Sequence, residues 1–314
     1  LAHGGLDLGG TKIQAIVRGR GAKVLGQARR ETPRTGGADA VLRELAGAMR
    51  DAAGDAGVPV AALELVGVGA PGSVDPAAGT VVQVANIDGW EQPYELGPSL
   101  AAELGVPVTV GNDVNCAVDA ERRFGAGRGH RSFLGVFWGT GVGGGLVVDG
   151  RLLHGRGSAG ELGHVCAKPG GRRCGCGLRG CVEAYAGRGA LEQRAHAEAR
   201  RRKTVLFELM RKRGRDRLTS GVWLRALDAG DEVARDLLER AVDALGVGIG
   251  SAVTLLDVEA VVIGGGLGER LGPRWLARIE LAARRHTFFR EPPVYRLAEL
   301  GDLGGAVGAS LLRP

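Results

Sequence analysis

Near its N-terminus the chain alternates apolar and polar positions: Leu6 and Leu8 flank Asp7, and Ile13, Ala15 and Val17 recur at every second place. A period of two is that of a strand, whose successive side chains point to opposite faces. Residues 4–19 are therefore predicted to form a β-hairpin with Gly9-Gly10-Thr11-Lys12 at its tip. A helix is predicted over 38–56, then a strand over 63–69 that ends in Ala70-Pro71-Gly72. Another strand over 107–111 runs into Asn112-Asp113 and a helix reaching Phe124. The pattern then restarts, with a strand over 132–138, a turn at Gly139-Thr140-Gly141 and a strand over 145–148. Further on, 231–256 reads as one or two helices, 258–263 as a strand entering Gly264-Gly265-Gly266, and 302–312 as a closing helix. Alternating strands and helices define an α/β protein.

The stretches LDLGGTK and VFWGTGV share one logic, strand then glycine-threonine turn then strand. Two similarly built domains, each with one such loop, explain the repeat. The length of 314 residues fits two domains of about 100–200 residues each. The expected division is a smaller α/β domain of residues 1–112 joined by the returning helix 302–314, and a larger one of 113–301.

Composition narrows the possibilities. With 44% hydrophobic and 24% charged residues, the chain has the balance of a globular protein that folds throughout. The first residues, LAHGGLDLGG, lack a basic region and a long apolar core, and the apolar run 246–267 is broken by Ser251, Thr254, Asp257 and Glu259. Neither reads as a targeting or spanning segment, so a cytoplasmic protein without a membrane partner is expected. The net charge of +6 is concentrated in RRRKTVLFELMRKRGRDR, residues 200–217, where Val205, Leu206, Leu209 and Met210 recur at helical spacing. A solvated amphipathic helix accounts for that run. With aromatics at only 4%, nucleic acid is not expected as a partner.

The densest chemistry lies in GHVCAKPGGRRCGCGLRGC, where His164, Cys174, Cys176 and Cys181 are spaced H-x9-C-x-C-x4-C. Three thiolates and an imidazole make a full tetrahedral shell for structural Zn²⁺, and the surrounding glycines let the backbone curl around one ion. The pair Cys174-Gly175-Cys176 is too tight for an ordinary disulfide. Scattered core cysteines are the plainer alternative, one that suits Cys116 and Cys166, which are expected to be small hydrophobes. Glu161 and Glu183 flank the cluster, so the metal is expected to hold a substrate site in shape.

Glycine-threonine turns suit phosphate, because backbone amides reach oxygens only where side chains are absent. Gly9, Gly10, Thr11 and Lys12 form one such turn, and Thr140 with Gly141 another. The two G-x-G-x-x-G matches, at Gly67, Gly69, Gly72 and at Gly139, Gly141, Gly144, are not followed by a helix and so do not read as dinucleotide-binding loops. Asp7, on an otherwise apolar strand, is placed to organise Mg²⁺ around nucleotide phosphates, or is simply solvated. Asp113 follows a strand end, where it serves either as a functional carboxylate or as a helix cap.

Together these elements resemble the ROK family of repressors, open reading frames and sugar kinases. The resemblance spans the chain through LDLGGTK, GAPG, GNDVNCA, GTGVGGG, GELGH, CGCGLRGCVE and VIGGG. It implies an actin-like, ribonuclease-H-like pair of α/β domains with sugar and nucleotide bound in an interdomain cleft. It further implies Asp113 as catalytic base and sugar ligand. Asn112, Glu161, His164 and Glu183 would bind sugar hydroxyls, with His164 also on the zinc. Thr11, Lys12, Thr140 and Gly141 would hold phosphate, and Gly265 and Gly266 would form the nucleotide turn. The activity implied is that of an ATP-dependent hexose kinase acting on the 6-hydroxyl of glucose, with other hexoses and N-acetylhexosamines as alternatives and polyphosphate as an alternative donor. Family habit implies a homodimer or homotetramer. A sugar-responsive repressor is the competing class, but such proteins carry an added helix-turn-helix domain ahead of the first hairpin.

Overall fold

Of the twelve described strands, ten collect into two five-stranded mixed sheets of the same plan and two form a separate hairpin. The computed structural model describes residues 2–82, 84, 87–288 and 291–313. Contacts divide the chain into two compact units, residues 1–129 with 154–159 and 302–314, and residues 130–153 with 160–301.

In the first unit β1 (Ala2–Leu8) and β2 (Lys12–Arg18) form the predicted hairpin, and β3 (Val24–Glu31) pairs antiparallel with β2. After α1 (Gly37–Asp55), β4 (Leu63–Ala70) returns parallel to β1. A small hairpin of β5 (Ser73–Asp75) and β6 (Thr80–Val82) and the helix α2 (Leu96–Leu104) lead to β7 (Val108–Asn112), parallel to β4. The sheet order is β3-β2-β1-β4-β7. Helix α3 (Asp113–Phe124) follows β7 without a break. The core gathers Leu6, Leu8, Ile13, Val41, Leu45, Met49, Val66 and Val68, all fully buried. Strand β2 is buried at nearly every position rather than alternately, since both of its faces are covered.

The second unit repeats this plan with β8 (Phe133–Trp138), β9 (Val142–Val148) and β10 (Arg151–Leu153) antiparallel in sequence. The chain then passes through a 3₁₀ turn, Leu162–His164, and five helices: α4 (Glu183–Ala186), α5 (Arg188–Glu198), α6 (Leu206–Lys212), α7 (Ser220–Asp228) and α8 (Glu232–Leu256). Strand β11 (Ala260–Gly264) returns parallel to β8, α9 (Gly265–Arg284) follows it, and β12 (Val294–Leu297) closes the order β10-β9-β8-β11-β12. The region 231–256 is a single helix, capped by the Asp231 side chain accepting from Ala234 N–H at 2.8 Å. Within residues 200–217 only Leu206–Lys212 is helical, its start met by Thr204 Oγ1 accepting from Leu206 N–H at 3.3 Å.

The closing helix is shorter than expected. A 3₁₀ turn, Gly301–Leu303, precedes α10 (Gly304–Ala309), which belongs to the first unit. It lies so close to the sheet that a Cβ on Gly5 would run into the carbonyl of Ala306, and one on Gly67 into that of Ala309. On its other side, a Cβ on Gly308 would run into the carbonyl of Cys116 in α3. Among the described residues no helix is long and apolar enough to cross a membrane.

Candidate functional site

In the first unit the β1–β2 turn is pinned by backbone and hydroxyl bonds. Gly9 N–H donates to Lys12 O at 2.9 Å, and Thr32 Oγ1 donates to Gly9 O at 2.7 Å. Lys12 Nζ lies 2.9 Å from Asp302 Oδ1, a partner the motif alone does not disclose. Asp7 sits on β1 just before the turn and is half-buried. Burial, then the charges of Asp113 and Asp302, push its carboxyl up to about 7, while Lys12 pulls the other way. Gly305 is needed there, since a Cβ on it would lie 2.6 Å from the Asp7 carboxyl carbon. Asp7, Lys12, Asp113 and Asp302 therefore act on one another as a single charge cluster.

The ambiguity at Asn112-Asp113 resolves by hydrogen bonding. Asn112 is the N-cap of α3: its backbone is extended and its Oδ1 accepts from Asn115 N–H at 3.0 Å. Asp113 is the first helical residue, with Oδ1 accepting from Val114 N–H at 2.9 Å, so its charge sits where the helix dipole favours an anion. Gly69 at the end of β4 keeps this corner tight, as a Cβ on it would be 3.3 Å from Asp113 Cα. Cys116 is buried behind the corner, and burial with the nearby Asp113 and Asp7 raises its thiol pKa well above the ordinary value. It is the small hydrophobe expected.

In the second unit His164, Cys174, Cys176 and Cys181 bring one ligand atom each to within 4.8 Å of one another. Cys176 and Cys181 sulfurs are 3.7 Å apart, and Cys174 Sγ is 3.8 Å from His164 Nδ1. A tetrahedral zinc with Zn–S bonds of about 2.3 Å requires sulfur separations of roughly 3.8 Å, so the set fits the ion in number, chemistry and span. The loop is shaped by Gly177 N–H donating to Cys174 O at 3.0 Å and Cys174 N–H to Leu178 O at 2.8 Å, with Gly177 and Gly180 at φ +90° and +87°. Burial and the neighbouring sulfurs push the Cys181 thiol up to about 12, a penalty that a central cation reverses. Cys166 pairs across an isolated bridge with Cys181, but it is exposed and not the buried small hydrophobe expected.

His164 presents its two nitrogens to different partners. Nδ1 lies toward Cys174, and Nε2 is 4.0 Å from Glu161 Oε2. Glu183, on the first turn of α4, accepts from Val142 N–H through Oε2 at 2.9 Å, while its Oε1 is 3.9 Å from Cys174 Sγ. One carboxylate thus touches both the sulfur cluster and the start of β9. A Cβ on Gly141 would run into it, which accounts for glycine at that place.

The turn at Gly139-Thr140-Gly141 closes with Gly139 N–H donating to Gly141 O at 3.0 Å. Arg188 N–H and Gly189 N–H donate to Gly139 O and Thr140 O at 3.2 and 3.3 Å. Arg188 belongs to none of the sequence motifs, its only signal being the Gly187-Arg188-Gly189 run at the start of α5, and Ser220, which opens α7, carries none. Gly265, at φ +83°, passes so close to Trp138 that a Cβ would be 2.7 Å from its backbone. Its N–H is taken by Glu269 Oε1 at 3.0 Å. A Cβ on Gly139 would lie 3.9 Å from Gly266 N, so the two predicted nucleotide elements adjoin. Thus the second unit brings together Glu161, His164, Glu183, Thr140, Gly141, Gly265 and Gly266, and the first brings together Asp7, Lys12, Asn112 and Asp113.

The ROK family profile matches residues 3–314. A glucokinase of Streptomyces coelicolor is 34% identical over 98% of this chain and 95% of its own length. An N-acetylgalactosamine kinase of a Shewanella species is 33% identical over 98% and 95%. The crystal structure of a ROK family glucokinase from Streptomyces griseus in complex with glucose and AMPPNP superposes with a TM-score of 0.84 at 34% identity, covering 99% of this chain and 98% of that one. With the fold of actin-like sugar kinases and relatives matching over nearly its whole length, the chain belongs to the ROK family and is a sugar kinase, a phosphotransferase with an alcohol acceptor.

Proposed function

We propose that the protein is an ATP-dependent hexose kinase that phosphorylates the 6-hydroxyl of glucose. What carries the reading is the likeness, across almost the entire chain, to a protein crystallised with glucose and an ATP analogue, at 34% identity. The residues support it in kind. Asp113, on the first turn of α3 with Oδ1 accepting from Val114 N–H, would take the proton of the attacking hydroxyl as it meets the γ-phosphate. Asn112, Glu161, His164 and Glu183 would pair with sugar hydroxyls, a recognition that rejects an epimer by leaving a buried group unpaired. Asn112 keeps its amide N–H₂ for this purpose, since its oxygen is spent on the helix cap.

Gly9, Gly10, Thr11 and Lys12 on one turn, and Thr140 and Gly141 on the other, would receive phosphates, with Gly265 and Gly266 beside the nucleotide. Phosphoryl transfer asks mainly for such positioning and charge neutralisation. Asp7 is suited to hold Mg²⁺, which supplies positive charge to the phosphates when bound, and a carboxyl with its pKa pushed up to about 7 by burial and neighbouring carboxylates is one that a cation relieves. His164, Cys174, Cys176 and Cys181 would hold Zn²⁺, which fixes the loop and the imidazole when bound. A full shell of four protein ligands keeps the role structural.

A second reading, an N-acetylhexosamine kinase, is favoured by the N-acetylgalactosamine kinase relative at 33% identity. Purified protein assayed against glucose, mannose, fructose and the N-acetylhexosamines, with ATP and with polyphosphate, separates the readings. The highest kcat/KM is expected for glucose with ATP, and Asp113→Asn is expected to lose turnover while sugar binding persists. Preference for an N-acetyl sugar moves the conclusion to the second reading, and turnover of Asp113→Asn near the wild-type rate removes the base.

A further inference from the structure

Arg188 opens α5 and is half-buried. Its guanidinium donates through Nη2 to Thr140 Oγ1 at 2.9 Å and through Nη1 to Ser220 Oγ at 3.1 Å. Both acceptors are neutral hydroxyls. Among the described residues no ion pair joins Arg188 to a carboxylate, and the nearby Glu192 is itself paired with Arg217 at 3.7 Å. Burial and the Arg217 charge lower the Arg188 pKa, with Glu192 offsetting only part of that. A cation in these surroundings is under-neutralised, and most of the donors of its rigid fork remain for an anion.

The side chain is not needed to hold α5 on the turn. Arg188 N–H and Gly189 N–H already tie α5 to the turn through Gly139 O and Thr140 O. Around the guanidinium the chain supplies backbone without bulk. A Cβ on Gly266 would be 3.8 Å from Ser220 Oγ, and one on Gly139 would be 3.9 Å from Gly266 N. Thr140, whose hydroxyl oxygen accepts from Arg188, keeps its own O–H to donate. Lys12, the cation of the other turn, is by contrast already paired with Asp302.

We propose that Arg188 is a phosphate ligand of the phosphoryl donor, holding the phosphate chain of the nucleotide against the Thr140 turn through charge-assisted hydrogen bonds. The inference rests on the reading that this turn receives the donor's phosphates. Guanidinium suits the task because its planar fork matches phosphate oxygens two at a time.

The test compares wild type, Arg188→Ala and Arg188→Lys by steady-state kinetics and by calorimetric binding of ATP, ADP and adenosine. For Arg188→Ala the KM for ATP is expected to rise by about tenfold to hundredfold, the worth of hydrogen bonds to a charged group. The KM for sugar is expected to stay as in wild type. The loss in binding should be greatest for ATP, smaller for ADP and absent for adenosine, with Arg188→Lys recovering part of it. Equal weakening of all three ligands, adenosine included, together with a lowered melting temperature, assigns the side chain a structural role and overturns the proposal. So does unchanged binding of ATP in an active enzyme. A wild-type protein that binds no ATP overturns the reading of the turn itself, a result distinguishable from failure at Arg188 alone.

Discussion

The carboxylate of Asp7 shows how one residue carries a cost that the fold sustains. In the unfolded chain it titrates near 3.8, and in the folded one burial and the charges of Asp113 and Asp302 hold it up at about 7. Between these values the folded chain binds more protons than the unfolded one, so the stability of the ligand-free protein falls as pH rises through that window. Asp7→Asn removes the slope. It is expected to raise the melting temperature most at about pH 8, where Asp7 is charged in both states, and less at about pH 5, where only the unfolded chain has lost the proton. Equal shifts at the two pH values would contradict the assignment. At this scale the sequence is legible where a residue type and its position coincide, as for Asp7 and Cys116, and ambiguous where neighbours compete for one job. Asn112 and Asp113 are both good caps, and only the backbone decides that Asn112 takes the role. Arg188 was illegible, because an arginine gains meaning only from what surrounds its guanidinium.

Among the elements, the zinc-type loop was the most readable and the basic run the least. Spacing of ligands survives folding as proximity, since glycines at Gly177 and Gly180 turn the chain without strain. Helical periodicity over residues 200–217 carried less weight, as a helix forms only where its apolar face finds a partner, and that is limited to Leu206–Lys212. The loop also supports α4 and, through Glu183, the start of β9. Cys176→Ala is expected to lose the metal and to weaken sugar binding with it, measured as zinc per protein and as sugar affinity on the same sample. Normal sugar affinity in a metal-free variant would uncouple the two. Cys176 is the informative choice because it is exposed, so the substitution opens no core cavity.

Across the whole molecule the repeat seen in LDLGGTK and VFWGTGV proved to be a repeat of sheets. Strands β1, β2, β3, β4 and β7 occupy the same places in one order as β8, β9, β10, β11 and β12 do in the other. Hairpin turns announced themselves through glycine and threonine, and the parallel returns through apolar runs. The placement of α10 did not, because a helix laid on Gly5 and Gly67 depends on what the strands lack. Gly67→Val is expected to destabilise the protein by about 1–3 kcal/mol or more, read from urea unfolding, since the backbone of α10 has to lift off the sheet. A midpoint equal to that of wild type would show that the helix has room.

The matched strand orders differ most in one connection. Between β3 and β4 the chain makes one long helix, α1, whereas between β10 and β11 it spends the sulfur cluster and five helices. The two five-stranded sheets keep the same ladders and differ most in this crossover. For an engineer seeking a different acceptor, the exposed positions of that crossover are the ones to diversify, because no strand of either five-stranded sheet lies within it.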